Sequence, residues 1–327
     1  MPVDCKLLIK LALAVVASNS VKRTVSEWER NSLATDVGSV DVERYVGSAS
    51  STSSSAPLAS LIMNTSPSRL TFAIRAIELF GRQTWGNMEL VVIEGQGTDE
   101  LEMGALEVHI KQLCDERIKY HRVQDAGVNR LSLGELRNMA VSFCSSESEY
   151  IAVWDDDDLH HPRRVQIQIE QILRHKGDAC LLKRLTGAWP RRDAYFVTAE
   201  RRTGWEGSVV CRRKCFPHYR PLDRGEDTPA MQDMLRTCHV LLIDAPSLYF
   251  YTIHGQNTSK ERHFRNIWRN RSARIDAISM AEDIESHFAF KISLGQPHAT
   301  VEGLTRLFLC KDCFPRRADS VQKLSGK

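Results

Sequence analysis

The chain has 327 residues, enough for one large domain or two modest ones and for a sizeable core. Hydrophobic residues at 42% and charged residues at 26% exclude a collagenous, wholly disordered or many-span membrane chain. The 44 Lys and Arg nearly cancel the 41 Asp and Glu, leaving +3, so no global field marks a nucleic-acid binder and no nucleic acid is expected as a partner.

The apolar run 7–17 is broken by Lys10 and falls well short of the roughly 20 residues that span a bilayer. It reads as a packed or surface helix of a cytoplasmic protein, with a signal peptide, which Asp4 and Lys10 suit badly, as the alternative. Residues 47–55, GSASSTSSS, have nothing to bury and read as a linker. This divides the chain into an extension and linker (1–55), a main domain (56–260) and a C-terminal, helical tail (261–327). Leu61, Ile62 and Met63 form a short buried strand. Leu70, Ala73, Ile74, Ile77 and Phe80 then recur at helical spacing, with Gly81 placed to end the helix. Leu90–Ile93 is the next strand in the pattern, as residues 90–93. Ser132 and Glu135 make a capping-box pattern ahead of Leu136, Met139, Ala140 and Phe143 on one helical face. Residues 150–154 return as a strand. Pro162 suits a helix first turn, with Val165, Ile169, Ile172 and Leu173 as its buried stripe. Strand and helix alternating in this way predict an α/β sheet with a parallel core, whose ligands bind at the carboxyl ends of the strands.

Nine cysteines lack the density of a small disulfide framework and read as reduced, mostly buried thiols. Cys310 and Cys313 form one CxxC without a second pair to complete a zinc site.

Four carboxylates in a row, Asp155, Asp156, Asp157 and Asp158, follow the strand that ends at Trp154. Neighbours about 6 Å apart repel by roughly 3 kcal/mol at an effective dielectric of 20. Such a cluster at a buried strand end needs a cation or several donors. Mn²⁺ or Mg²⁺, which take oxygen ligands and keep positions open for phosphate, would satisfy it. A solvated acidic turn, with Asp158 capping the next helix, is the alternative.

The segments PLASLIMNTSPSR, QTWGNMELVVIEGQGTDE, SLGELRNMAV, YIAVWDDDDLHHPRR, GWEGSVVCRR, RGEDT and YTIHGQNTS occur in the order of motifs in nucleotide-sugar glycosyltransferases of family 2, and the resemblance covers about 57–260. It implies a GT-A fold, a Rossmann-like three-layer sandwich around a mostly parallel central sheet. It also implies an inverting mechanism, a nucleoside-diphosphate sugar donor with UDP favoured, and Mn²⁺ or Mg²⁺ as cofactor. Thr65, Glu94, Arg137, Asn138, Asp155 and Asp156 match nucleotide-sugar-binding positions. Asp157 resembles the leading metal ligand, with Asp155 and His254 beside it. Asp227 resembles the general base of the ED motif, Glu226 its catalytic neighbour, and Trp205 and Glu206 look like acceptor-site residues, the indole packing against a sugar.

The implied acceptor is a glycan, a lipid-linked sugar or another hydroxyl compound, in glycan or polysaccharide synthesis. Two departures stand out. NTSPS lacks the aromatic that stacks the base in many relatives, and IEGQGTD is one residue longer than the usual form around Glu94. A catalytically inactive binding module and a nucleotidyltransferase remain as alternatives. Beyond Lys260, Arg262, Arg265, Arg269, Arg271 and Arg274 read as a solvated helix, with an anionic membrane surface or a phosphate-bearing acceptor as the other reading.

Overall fold

The computed structural model describes residues 34–47, 55–97, 104–124 and 130–288. The run 7–17, most of the serine-rich linker and the CxxC lie outside them. In chain order the strands and helices are β1 (Thr35–Ser39), β2 (Ala59–Thr65), α1 (Leu70–Gly81), β3 (Met88–Gly97), α2 (Ala105–Leu113), β4 (Ile118–Gln124), α3 (Leu133–Phe143), β5 (Tyr150–Val153) and β6 (Leu159–His160). There follow α4 (Arg164–Arg174), β7 (Ala179–Leu182), β8 (Thr186–Trp189), β9 (Ala194–Val197), β10 (Val210–Arg212), α5 (Asp227–Thr237), β11 (Val240–Asp244), β12 (Tyr249–Thr252), α6 (Glu261–Arg269), β13 (Ala273–Ile275) and α7 (Ala277–Phe288).

Eight strands form the main sheet in the order β1-β11-β7-β10-β5-β2-β3-β4. All neighbours are parallel except β10, which runs antiparallel between β5 and β7. Strand alternation divides the core. Leu61, Met63, Leu90 and Val92 face α1, α2 and α4 on one side. Ile62, Val91 and Ile93 face α3 and α5 on the other. This period-two split of near-continuous apolar runs is what a parallel sheet covered on both faces requires, and it makes three layers, the architecture expected from the sequence. A second sheet, β13-β9-β8-β12-β6, packs beside the first.

The chain leaves β2 toward β3 and β4, then crosses back through α3 to β5 on the other side of β2. The carboxyl ends of β2 and β5 therefore flank a topological switch point. Helix α3 enters through the capping box read from the sequence: Glu135 N–H donates to Ser132 Oγ at 3.4 Å and Ser132 N–H donates to Glu135 Oε2 at 2.8 Å.

Several boundaries differ from the sequence expectation. Residues 35–39, assigned to the extension, pair with β11, because an extended apolar-polar segment can satisfy an open sheet edge. Lys260 does not close the packed unit, since β13 pairs with β9 and Met280, Ala281 and Ile284 of α7 enter the main core. Helix α4 starts at Arg164, so Pro162 lies in the turn before it. Leu173 is 47% exposed; Gln168 and Gln171 take buried positions instead, Gln168 donating to the Cys180 and Ser208 carbonyls and Gln171 to Tyr45 Oη. Finally, Cys215 and Cys238 form a disulfide across 23 residues, with Cα atoms 6.2 Å apart. The pairing depends on β10 and the end of α5 meeting in space, which sequence spacing does not disclose. Cys144, Cys180 and Cys211 are buried thiols as expected, and Cys114 is exposed.

Candidate active site

At the switch point lies a cavity of about 620 Å³ lined by all four aspartates, by Asn64, Thr65 and Arg69 from the end of β2 and the turn after it, and by Arg137, Glu226 and Asp227. A second cavity of about 350 Å³ adjoins it, lined by Arg201, Trp205, Glu206, Tyr219, Tyr251 and His263 among others. Arg137, Asp155 and Asp227 border both. The two chambers thus meet where the acidic strand end faces the N-terminus of α5.

The four aspartates have four different environments. Asp156 accepts from Arg69 Nε at 2.8 Å and from Thr65 Oγ1 at 2.7 Å. Burial raises its carboxyl nonetheless, against the pull of Arg69. Asp157 accepts from Arg69 Nη2 at 2.8 Å and lies 2.8 Å from His254 Nε2. Burial alone would raise this carboxyl, but the Arg69 charge and the His254 hydrogen bond outweigh it and hold Asp157 well below the usual range. Asp158 accepts from Tyr249 Oη at 2.5 Å and Thr252 N–H at 2.7 Å. It caps no helix, and burial followed by the Asp157 and Asp155 charges pushes it well up. Asp155 accepts from Arg137 Nη2 and from Tyr249 Oη, each at 3.2 Å.

Arg137 is the link between the two acidic groups. It donates through Nη2 to Asp155 and through Nε to Glu226 Oε1 at 3.1 Å. Glu226 is raised chiefly by burial. Asp227 opens α5, partly buried, with no side-chain cap at the helix start. Burial raises it most, and the Glu206 and Asp155 charges add to this while Arg137 opposes. A half-enclosed carboxylate with a raised pKa, aimed where two cavities meet, suits proton abstraction.

Not every sequence-expected residue reaches the cavities. Glu94 is buried and accepts from Tyr120 Oη at 2.6 Å; Gly95 lines the cleft instead. Residues 93–97 of the lengthened IEGQGTD motif fall within β3, and Thr98 and Asp99 lie outside the described residues. Asn138 clamps the backbone of Tyr219, donating to its carbonyl at 2.8 Å and accepting from its N–H at 2.9 Å. The face of Trp205 is covered by the Arg201 guanidinium, 4.1 Å from the ring centroid, which also pairs with Glu206 at 2.6 Å. One face of the indole is therefore taken by Arg201 and not open to a sugar.

Two contributors are illegible in the sequence motifs. Arg69 is the last residue of the segment PLASLIMNTSPSR and becomes relevant only because the turn at Pro67–Arg69 folds it back over β5. Asn64 lines the larger cavity with both amide atoms buried and without a partner among the described residues. Its signal is faint: a polar residue at the last inward position of an apolar strand.

Among the described residues no group of three or more His, Cys, Asp or Glu is arranged to hold a metal. The expected set of Asp157, Asp155 and His254 is split, with Asp155 turned to Arg137 and Tyr249. Asp157 and His254 bring together one oxygen and one nitrogen donor of the kinds a divalent ion takes. In this structure Asp157 Oδ2 is hydrogen-bonded to His254 Nε2 and paired with Arg69 Nη2, each at 2.8 Å, so a metal would have to replace these contacts. Such an ion would take its remaining positions from water and ligand oxygens.

Residues 67–219 match the family model described as Glycosyl transferase family 2. A Rickettsia felis (strain ATCC VR-1525 / URRWXCal2) protein described as an uncharacterized glycosyltransferase is 29% identical over 104 residues, 31% of this chain. The matched part spans only 15% of that relative's length. Among solved structures, S. aureus TarS in complex with UDP aligns with a TM-score of 0.48 at 17% identity, covering 72% of this chain and 73% of that one. The same protein with UDP-GlcNAc aligns with a TM-score of 0.48 at 18% identity, over 72% and 74%.

Proposed function

From the premise that residues 67–219 belong to glycosyl transferase family 2, we propose that this protein is an inverting glycosyltransferase. It moves a sugar from a nucleoside-diphosphate sugar, with UDP the favoured nucleotide, to an acceptor hydroxyl. The observation that carries this reading is the meeting of two cavities at Arg137, Asp155 and Asp227. One chamber, floored by the aspartates and Arg69, suits a donor diphosphate; the other suits an acceptor.

In this scheme Asp227 takes the proton of the acceptor hydroxyl as the acceptor oxygen bonds to the anomeric carbon. The bond from that carbon to the diphosphate oxygen breaks, and its electron pair leaves with the nucleoside diphosphate. Attack from the side opposite the leaving group inverts the centre. Arg137 holds Asp155 and Glu226 in place, so that the base and the donor floor keep a fixed relation. Arg69 supplies a fixed positive charge on the donor side, where negative charge grows. Mn²⁺ or Mg²⁺ would be held by Asp157 and His254 and would neutralise charge on the leaving diphosphate.

The test is a transfer and hydrolysis assay over UDP-, dTDP- and GDP-sugars with and without Mn²⁺, read by release of nucleotide and by the anomeric configuration of the product. Turnover with UDP-sugars and an inverted product support the reading. A clear preference for GDP overturns the base assignment. Nucleotide binding without turnover on any donor favours an inactive binding module.

A further inference from the structure

Arg69 gives one guanidinium to two neighbouring carboxylates. Its Nε donates to Asp156 Oδ2 at 2.8 Å and its Nη2 to Asp156 Oδ1 at 2.5 Å, while Nη2 also reaches Asp157 Oδ2 at 2.8 Å. The hold on Asp156 is a two-point fork and the hold on Asp157 a single contact, so the second can be exchanged while the first stays in place. Thr65 Oγ1 fixes Asp156 from the β2 side at 2.7 Å. The guanidinium lies over the Phe72 ring, 5.3 Å from its centroid, and that ring packs on His254 with centroids 4.5 Å apart. Arg69, Phe72 and His254 thus form one packed wall around Asp157.

Other donors complete the ring. Asn257 Nδ2 approaches Asp157 Oδ2 at 3.4 Å, and the Arg75 guanidinium donates to the Asp157 carbonyl at 2.8 Å. Two positive charges therefore stand beside the carboxylate that the proposed ion would use. The Asp157 side chain is 15% exposed and that of Arg69 20%, so little water screens them, and a divalent ion arriving alone meets their repulsion. A nucleoside diphosphate changes the balance. Its phosphate oxygens can ligate the ion and accept from the guanidinium, which places an anion between two cations and leaves Arg69 fully paired. We infer that Arg69 guards Asp157, so that a divalent ion binds together with the nucleoside diphosphate and only weakly before it. Arg69 keeps its fork on Asp156 throughout and passes its Asp157 contact to a phosphate oxygen. The inference rests on the glycosyl-transfer reading and names the residue that couples ion to donor.

The experiment titrates Mn²⁺ into the full chain, without nucleotide and then with UDP, and reads free Mn²⁺ by electron paramagnetic resonance. The unaltered chain should bind Mn²⁺ alone weakly and more tightly once UDP is present. Arg69→Gln removes the guarding charge and should bind Mn²⁺ alone at least about 10-fold more tightly. Arg69→Lys keeps the charge and should stay close to the unaltered chain. In Arg69→Gln/Asp157→Asn the gain should vanish, which places it at Asp157. Arg130, an exposed residue bordering the same cavity, has no contact with Asp157 among the described residues, so Arg130→Gln should show no gain. No gain in Arg69→Gln, an equal gain in Arg69→Lys or Arg130→Gln, or a gain that survives the loss of Asp157 overturns the inference. So does an unaltered chain that binds Mn²⁺ as tightly without UDP as with it, a result that needs no variant. Calorimetry with UDP on the same samples separates the two levels. If UDP binds and Arg69→Gln shows no gain, only the guard falls; if UDP binds neither with nor without Mn²⁺, the donor reading itself falls.

Discussion

Asp227→Asn is the most discriminating single substitution, because shape and charge can be separated at this position. The side chain accepts from Thr228, through Oγ1 at 3.4 Å and the backbone N–H, contacts that an asparagine oxygen can also take, and makes no cap bond at the helix start, so asparagine replaces it without loss of packing. Burial and the Glu206 and Asp155 charges raise the carboxyl above 3.8. For stability, the sign follows from that direction: a folded-state value above the unfolded one means stability falls as pH rises through the interval between them. At pH 7 the ionised group therefore costs stability, and the variant should melt at the same temperature or higher. For activity, the base works deprotonated, so the acid limb of kcat/KM in the unaltered protein should lie above the ordinary carboxylate range. The variant should lose that limb together with about 10²- to 10⁴-fold in kcat, while nucleotide binding stays near normal. Steady-state transfer against pH, alongside thermal melting, provides the assay. Retained turnover with an unchanged acid limb would refute the base assignment and move attention to Glu226.

Three further outcomes follow from the geometry. Asp157→Asn and His254→Gln should each abolish the Mn²⁺-dependent part of UDP binding in calorimetry, and a metal dependence that survives both would place the ion elsewhere. Arg164→Met should lower stability by about 3 kcal/mol in urea unfolding, because the fully buried guanidinium donates to Val153 O, Gly207 O, Gln168 Oε1 and His160 Nδ1 and their orphaned acceptors cannot reach water; an unchanged midpoint would contradict this. Asn64→Leu should leave the melting temperature unchanged or raised, since an unpartnered buried amide is removed, and should weaken UDP binding about 10-fold if that amide meets the nucleotide; unaltered affinity would exclude Asn64 from the donor site.

Much of the layer structure is legible because the signals are local. The apolar runs at β2 and β3 are too continuous for a half-exposed strand, and Ser132 with Glu135 closes its capping box within four residues. What fails in the sequence reading is non-local. Leu173 looks like part of the α4 stripe on helical spacing, yet glutamines are buried on this helix because their partners, Cys180 of β7 and Ser208 for Gln168 and Tyr45 for Gln171, come from elsewhere in the chain. Strand β1 and the Cys215–Cys238 bond are invisible for the same reason: each is defined by a partner far along the chain, β11 in one case and the end of α5 in the other.

The candidate site shows the same limit in sharper form. Four consecutive carboxylates do demand compensating positive charge, but the demand does not say where the charge comes from. In this fold much of it is the protein's own: Arg69 on Asp156 and Asp157, Arg137 on Asp155, and the Arg75 guanidinium donating to the Asp157 carbonyl at 2.8 Å. Hydrogen bonds from Tyr249 and Thr252 meet the needs of Asp158 without any cation. Asp157, held acidic by Arg69 and by the His254 hydrogen bond, is the carboxylate that the proposed ion would use. An acidic run is therefore a poor guide to its own ligand count, because arginines distant in sequence, together with Tyr249 and Thr252, engage its carboxylates within the protein itself.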